Sequence, residues 1–210
     1  MLFLLSGAAA SGKKTVARQL IARVASLAAH HENEIPATTG QTRMANMERW
    51  VDTALDLEAQ GIDLLLLAAS PLGELLASPR ALDLAGIAAC LLDCHDHERS
   101  RRIARREPDP NWTFGMDMLC WAAWHRMHAI DPQWEQRVIR DAVREHYAWD
   151  RWCHWTHEDP RWRVELVDTT TQSVTETVDT VAGWITHVRL HGTRLARAAA
   201  WWEPVPERPA

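Results

Sequence analysis

Gly7-Ala8-Ala9-Ala10-Ser11-Gly12-Lys13 lies between the apolar run Leu2-Phe3-Leu4-Leu5 and a segment in which Val16, Leu20, Val24 and Leu27 recur at helical spacing. The stretch fits G-x-x-x-x-G-K in the order strand, tight loop, helix. Glycines at those places let the backbone wrap a phosphate. Exposed N–H groups and the helix start supply positive potential, and Lys13 reaches toward the β- and γ-phosphates. An ordinary Ala/Gly-rich turn needs neither the seven matching residues nor a lysine at that point. The expected nucleotide-binding residues are Gly7, Ala10, Ser11, Gly12, Lys13, Lys14 and Thr15, with Lys13 also catalytic.

One residue departs from the pattern. Ser or Thr is expected directly after the lysine, where its hydroxyl ligates Mg²⁺, and this chain has Lys14, with Thr15 one place late. Three outcomes stay open: Mg²⁺ held only by nucleotide, water and other acids; Lys14 replacing part of the cation's charge; or nucleotide bound without turnover.

Outward from the loop, Met47, Trp50, Val51, Ala54 and Leu57 predict a helix closed by Gly61, and Ile62 to Ala69 a strand buried on both faces. Gly86 to Asp93 predicts another buried strand, followed by the basic run Arg99 to Arg106. Residues 108–161 read as mostly helical with a break at Asp131-Pro132. Arg163 to Asp168 predicts a last strand, and Val174, Val178, Val181, Trp184, Ile185 and Val188 a last amphipathic helix. Alternating strands and helices predict an α/β fold of three layers, a parallel sheet with helices on both faces and ligands at the strands' carboxyl ends. The 210 residues suit a single domain over 1–190, with 107–162 an inserted helical segment and 191–210 a tail.

Composition narrows the partners. Lys+Arg 23 against Asp+Glu 28 gives a net charge of −5, so no global field attracts nucleic acid or an anionic membrane, and any phosphate binding is local. The four cysteines form no C-x-x-C pair and suggest reduced thiols. The apolar start lacks a basic leader region, and no run reaches the roughly 18–20 residues of a membrane span, so a cytoplasmic protein is expected, monomeric or homodimeric.

These features together resemble the P-loop kinases of the nucleoside monophosphate, shikimate, gluconate and chloramphenicol phosphotransferase type, with a divergent Walker A motif. Four segments carry the resemblance: Gly7 to Thr15; Glu32-Asn33-Glu34-Ile35; Leu92-Asp93-Cys94 leading to Arg102-Ile103-Ala104-Arg105-Arg106; and Val167-Asp168-Thr169-Thr170 before a helix. The resemblance implies that Glu32 orients or deprotonates the acceptor hydroxyl, with His31 a weaker candidate. It also implies that Arg102 and Arg106 belong to a basic lid closing over the nucleotide, that Thr15 touches the α-phosphate, and that Asp168 and Thr169 flank the base. A solvated acidic loop, a solvated basic helix face and simple strand-end capping remain the competing readings of these last segments. No acid ends the strand Leu64 to Leu67, and Ser70, Glu74 and Arg43 are further acceptor-side candidates.

Tryptophan is the compositional anomaly: 12 of the 15 aromatic residues, with eight of them between Trp112 and Trp162. Trp121, Trp124 and His128 fall on one helix side, as do Trp149, Trp152 and Trp155 if helical. They form either the core of a small helical subdomain or an aromatic acceptor pocket. His125, His128 and Cys153-His154-x-x-His157 lack an established metal spacing, so no protein metal site is expected.

The expected activity is ATP- or GTP-dependent transfer of a phosphoryl group to a small-molecule hydroxyl, nucleoside-like or aromatic, with Mg²⁺ as cofactor in a form Lys14 leaves open. The alternatives are a nucleotide-binding regulatory or scaffold protein without catalysis, and a P-loop NTPase acting on a partner.

Overall fold

The computed structural model describes residues 1–35, 43–106, 114–140 and 147–203. Trp112 and the parts of the inserted segment and tail at 107–113, 141–146 and 204–210 lie outside them. Along the chain run β1 (Leu2–Ser6), α1 (Lys13–Leu20), β2 (Leu27–His31), α2 (Arg43–Glu58), β3 (Asp63–Ala68), α3 (Leu72–Ala77), β4 (Gly86–Asp93), α4 (Asp96–Ala104), α5 (Met116–Ile130), α6 (Arg137–Arg140), β5 (Val164–Asp168), α7 (Val174–His191) and β6 (Leu195–Ala196).

Five strands are parallel in the order β2-β3-β1-β4-β5, and β6 pairs antiparallel with the start of β4. The chain moves outward from β1 to one edge, returns, and then builds on the other side of β1. The crevice at the carboxyl end of β1 is therefore the switch point where ligands of such sheets bind. Side chains alternate across the sheet. Leu2, Leu4, Leu64, Leu66 and Ala89 face a core with α2, α3 and the tryptophans. Phe3, Leu5, Leu65, Leu67 and Leu92 face a second core with α1 and α7. This is the expected three-layer α/β architecture.

Several elements carry their own stop signals. Gly61, at φ +74°, ends α2 in a Schellman turn, with Ile62 N–H donating to Leu57 C=O at 3.0 Å and Gly61 N–H to Glu58 C=O at 2.9 Å. Ser173 and Glu176 form a reciprocal cap at the start of α7. The first helix is shorter than its periodicity predicts. It ends at Leu20, and Leu27 opens β2 rather than closing α1.

The inserted segment is less helical than expected. After α5 and the short α6, residues 147–163 form turns with a single 3-10 turn at Trp149–Arg151, so Trp149, Trp152 and Trp155 do not share a helix side. They converge nonetheless. Trp124, Trp149, Trp152, Trp155, Trp162 and Trp201 are all buried in the core on the α2–α3 side of the sheet. His128 stacks on Trp124 at 4.7 Å and meets Trp152 and Trp162 edge-on at 5.6 and 5.4 Å. Such pairs each add about 0.5–1.5 kcal/mol beyond area burial. No helix among the described residues is long and apolar enough to cross a membrane.

Candidate active site

The loop after β1 is shaped by left-handed backbone at three points. Gly7 (φ +148°) sits where a Cβ would collide with the Leu92 carbonyl oxygen. Gly12 (φ +103°) has open space around it, so glycine is needed there for conformation alone, and it caps the N-terminus of α1. Ala10 (φ +62°) is the third. Ser11 is fully buried, and its Oγ has no hydrogen-bond partner among the described residues, an orphaned polar atom in the loop. Lys13 folds over the loop and donates from Nζ to the carbonyls of Gly7 and, at 3.1 Å, Ala8. Burial lowers its pKa to about 8, against the raising effect of Glu32 and with help from Arg99, Arg106 and Lys14.

A buried arginine holds this loop from behind. Arg99 has no exposed surface; it pairs with Asp93 at the end of β4 and donates to the carbonyls of Ala9 and, at 3.1 Å, Cys94. Arg126 of α5 pairs with the other Asp93 oxygen, tying the inserted helix to the same anchor. Arg102 also braces the loop. Its guanidinium donates to Ala10 C=O at 3.2 Å, to Thr169 Oγ1 at 2.9 Å and to Thr169 C=O at 2.6 Å, while its Nε pairs with Glu98 at 2.8 Å. Arg106, by contrast, is exposed and lines the crevices on both sides of the loop.

On the α7 side a crevice of about 270 Å³ runs along Thr15, Arg102, Thr169, Gln172 and Val174. Thr169 Oγ1 donates toward the carbonyls of Asp93 (3.0 Å) and Ser11 (3.2 Å), so Thr169 bridges strand end and loop. Asp168 turns away to accept from Thr170 N–H at 2.8 Å, and Thr170 holds its carboxyl below the usual range.

On the other side opens a larger cleft of about 1110 Å³, in which the loop and Lys13 face Glu32, Arg43, Phe114, Met118 and Trp121. Glu32 follows β2 in a 3-10 turn. Its backbone carbonyl is clamped by Asn46 Nδ2 and Trp50 Nε1 at 2.9 and 3.1 Å, and its carboxylate Oε1 accepts from Ala69 N–H at 2.7 Å. Burial raises its pKa, opposed by the Ala69 N–H, Lys13 and Arg43. Arg43 pairs with the buried Glu74 and lies over the Trp121 ring at 4.5 Å from its centroid. Burial raises the Glu74 carboxyl in spite of that pairing. His31, beside Lys14, is held near pKa 4 by burial and by the two lysines.

The structure thus brings Ala8 to Thr15, Glu32 and Arg106 to one cleft, with Gly7 buried behind it against Leu92. It turns Arg102 and Thr169 to bracing the loop and Asp168 to capping. Ser70 and Glu74 are buried behind Arg43. Sequence reasoning missed the bracing role of Arg99, whose one signal is its six-residue separation from Asp93 across the start of α4. The loop fits a nucleotide's phosphates: an orphaned hydroxyl, a folded-over lysine and the start of α1 converge there. The residues do not fit a protein-held Mg²⁺, because Lys14 stands where the motif has its metal-ligating hydroxyl. Among the described residues no three His, Cys, Asp or Glu side chains come together as a metal set.

No protein-family model matches the chain, and no curated protein matches it in sequence. Among solved structures, an unliganded sugar kinase from Janibacter sp. HTCC2649 is similar with a TM-score of 0.53 and 14% identity, over 88% of this chain and 94% of that one. APE1195 is similar with a TM-score of 0.52 and 12% identity, over 90% of this chain and 95% of that one. At these identities the likeness is one of fold, an α/β sheet shared with a sugar kinase over nearly its whole length.

Proposed function

We propose that this protein is an ATP- or GTP-dependent phosphotransferase acting on a hydroxyl of a small molecule. The observation that carries the reading is a single cleft in which the loop with Lys13 faces Glu32, a carboxylate pinned through one oxygen by Ala69 N–H. A nucleoside triphosphate supplies the transferable phosphoryl group when bound, and Gly7 to Thr15 are the residues that would hold it.

Phosphoryl transfer asks the protein for positioning and charge stabilisation more than for covalent chemistry. Lys13 and Arg106 supply positive charge beside the loop. Glu32 keeps Oε1 on the Ala69 N–H and takes the hydroxyl proton on Oε2; the pKa raised by burial, against the opposing pull of the Ala69 N–H, Lys13 and Arg43, suits a proton acceptor. Burial of most tryptophans in the core leaves Trp121 as the one from the Trp112–Trp162 cluster that lines the cleft, among the described residues. The wall of Phe114, Met118 and Trp121, with Asn33 and Arg43 for polar groups, suits an acceptor with a flat, partly apolar face.

A coupled ADP-release assay across nucleosides, sugars, aminocyclitols and aromatic alcohols tests the proposal. Turnover raised above basal hydrolysis by one class supports it. Nucleotide binding without stimulation by any acceptor points instead to a regulatory nucleotide-binding protein.

A further inference from the structure

Lys14 is the second residue of α1, whose first turn carries Lys13 and Lys14 and no acid. Cations at a helix N-terminus oppose the helix dipole, so the arrangement is unfavourable until an anion sits against it. Lys14 is exposed, lines the cleft in front of the loop, and has no hydrogen-bond or ion-pair partner among the described residues. The other charges nearby are already matched or aimed at the same place. Arg99 and Arg126 share Asp93, and Arg101 and Arg102 share Glu98, whereas Lys13, Lys14 and Arg106 converge on the loop with Glu32 as the acid facing them. The protein thus brings a surplus of positive charge to the place where a triphosphate's charge would lie and, among the described residues, no set of three His, Cys, Asp or Glu for a divalent ion.

We infer that Lys14 stands in for the divalent cation, so that the loop binds the metal-free nucleoside triphosphate and Mg²⁺ is not needed for binding. The inference rests on reading the loop as a nucleotide site. Its chemistry is that of a charged donor: an ammonium group supplies hydrogen bonds and charge to phosphate oxygens that the loop's neutral N–H groups cannot balance alone.

Isothermal titration of ATP and of GTP into the full chain, once in EDTA and once in excess Mg²⁺, tests it. The expected dissociation constants of the unmodified protein differ by less than about threefold between the two buffers. Lys14→Ser is expected to bind about tenfold or more weakly in EDTA, the scale of a charged hydrogen bond, and to recover when Mg²⁺ is added. Lys14→Met is expected to lose the same affinity in EDTA without recovering. A preference of the unmodified protein for the Mg²⁺ form by more than about threefold overturns the inference, and so does unchanged affinity of Lys14→Ser in EDTA. Absence of binding in both buffers overturns the nucleotide reading itself, a result separate from a Mg²⁺ requirement.

Discussion

Arg99 carries a permanent charge with no exposed surface, and such a residue persists only where pairing and hydrogen bonds offset its desolvation. Asp93 and the carbonyls of Ala9 and Cys94 do so here, and in return the arginine fixes the path of the loop. Arg99→Met leaves Asp93 paired with Arg126 but strips the Ala9 and Cys94 carbonyls of their donor, so it is expected to lower stability by about 1–3 kcal/mol, seen as a lower urea midpoint, and to weaken nucleotide binding in the fraction that remains folded. A midpoint equal to the unmodified protein's would show the anchor to be dispensable. In the sequence Arg99 is one arginine of a basic run, and only its six-residue separation from Asp93 sets it apart from the exposed ones. The loop itself was legible, because Gly7, Gly12 and Lys13 answer to local geometry and chemistry.

At the level of elements, β1, β3 and β4 declared themselves as apolar runs because both their faces are buried. β2 did not. Leu27-Ala28-Ala29-His30-His31 has neither an apolar run nor alternation, and it is a strand through its backbone pairing with β3 at the sheet edge. Trp149, Trp152 and Trp155 likewise gave a helical spacing that their turns do not use, since burial constrains where a side chain ends up more than how its backbone gets there. Gly73 in α3 shows how close that packing is: a Cβ there would overlap the Trp152 ring. Gly73→Ala is expected to destabilise the protein by about 1–3 kcal/mol, measured as a fall in Tm. An unchanged Tm would mean that the tryptophan core is looser than described.

Across the whole molecule, the buried aromatic core also carries a pH signature. Burial holds His125 near pKa 3 and His128 near pKa 4. The unfolded chain binds these protons near pH 6.5, whereas the folded chain does not until about pH 4 or below. Stability from these residues is therefore lost as pH falls from about 6.5 to about 4, at up to about 1.4 kcal/mol per pH unit for each. Glu32 and Glu74 act in the opposite sense: their raised pKa values let the folded chain keep protons that the unfolded chain releases above about pH 4.5. His128→Gln isolates the histidine contribution, and its loss of stability between pH 6.5 and 4.5 should be shallower than that of the unmodified protein. Parallel profiles would contradict the assignment.

Phosphoryl transfer in this cleft depends on Glu32 acting across from the loop. With an acceptor from the panel in hand, the direct measurement is acceptor-dependent ADP release by the unmodified protein and by Glu32→Gln, alongside nucleotide affinity for both. The expected result is a fall in kcat of about 10²–10⁴-fold with nucleotide affinity not weakened, since Glu32 is an anion facing the loop's cations and its loss removes no contact to phosphate. Acceptor-dependent turnover that survives Glu32→Gln at the unmodified rate would contradict it.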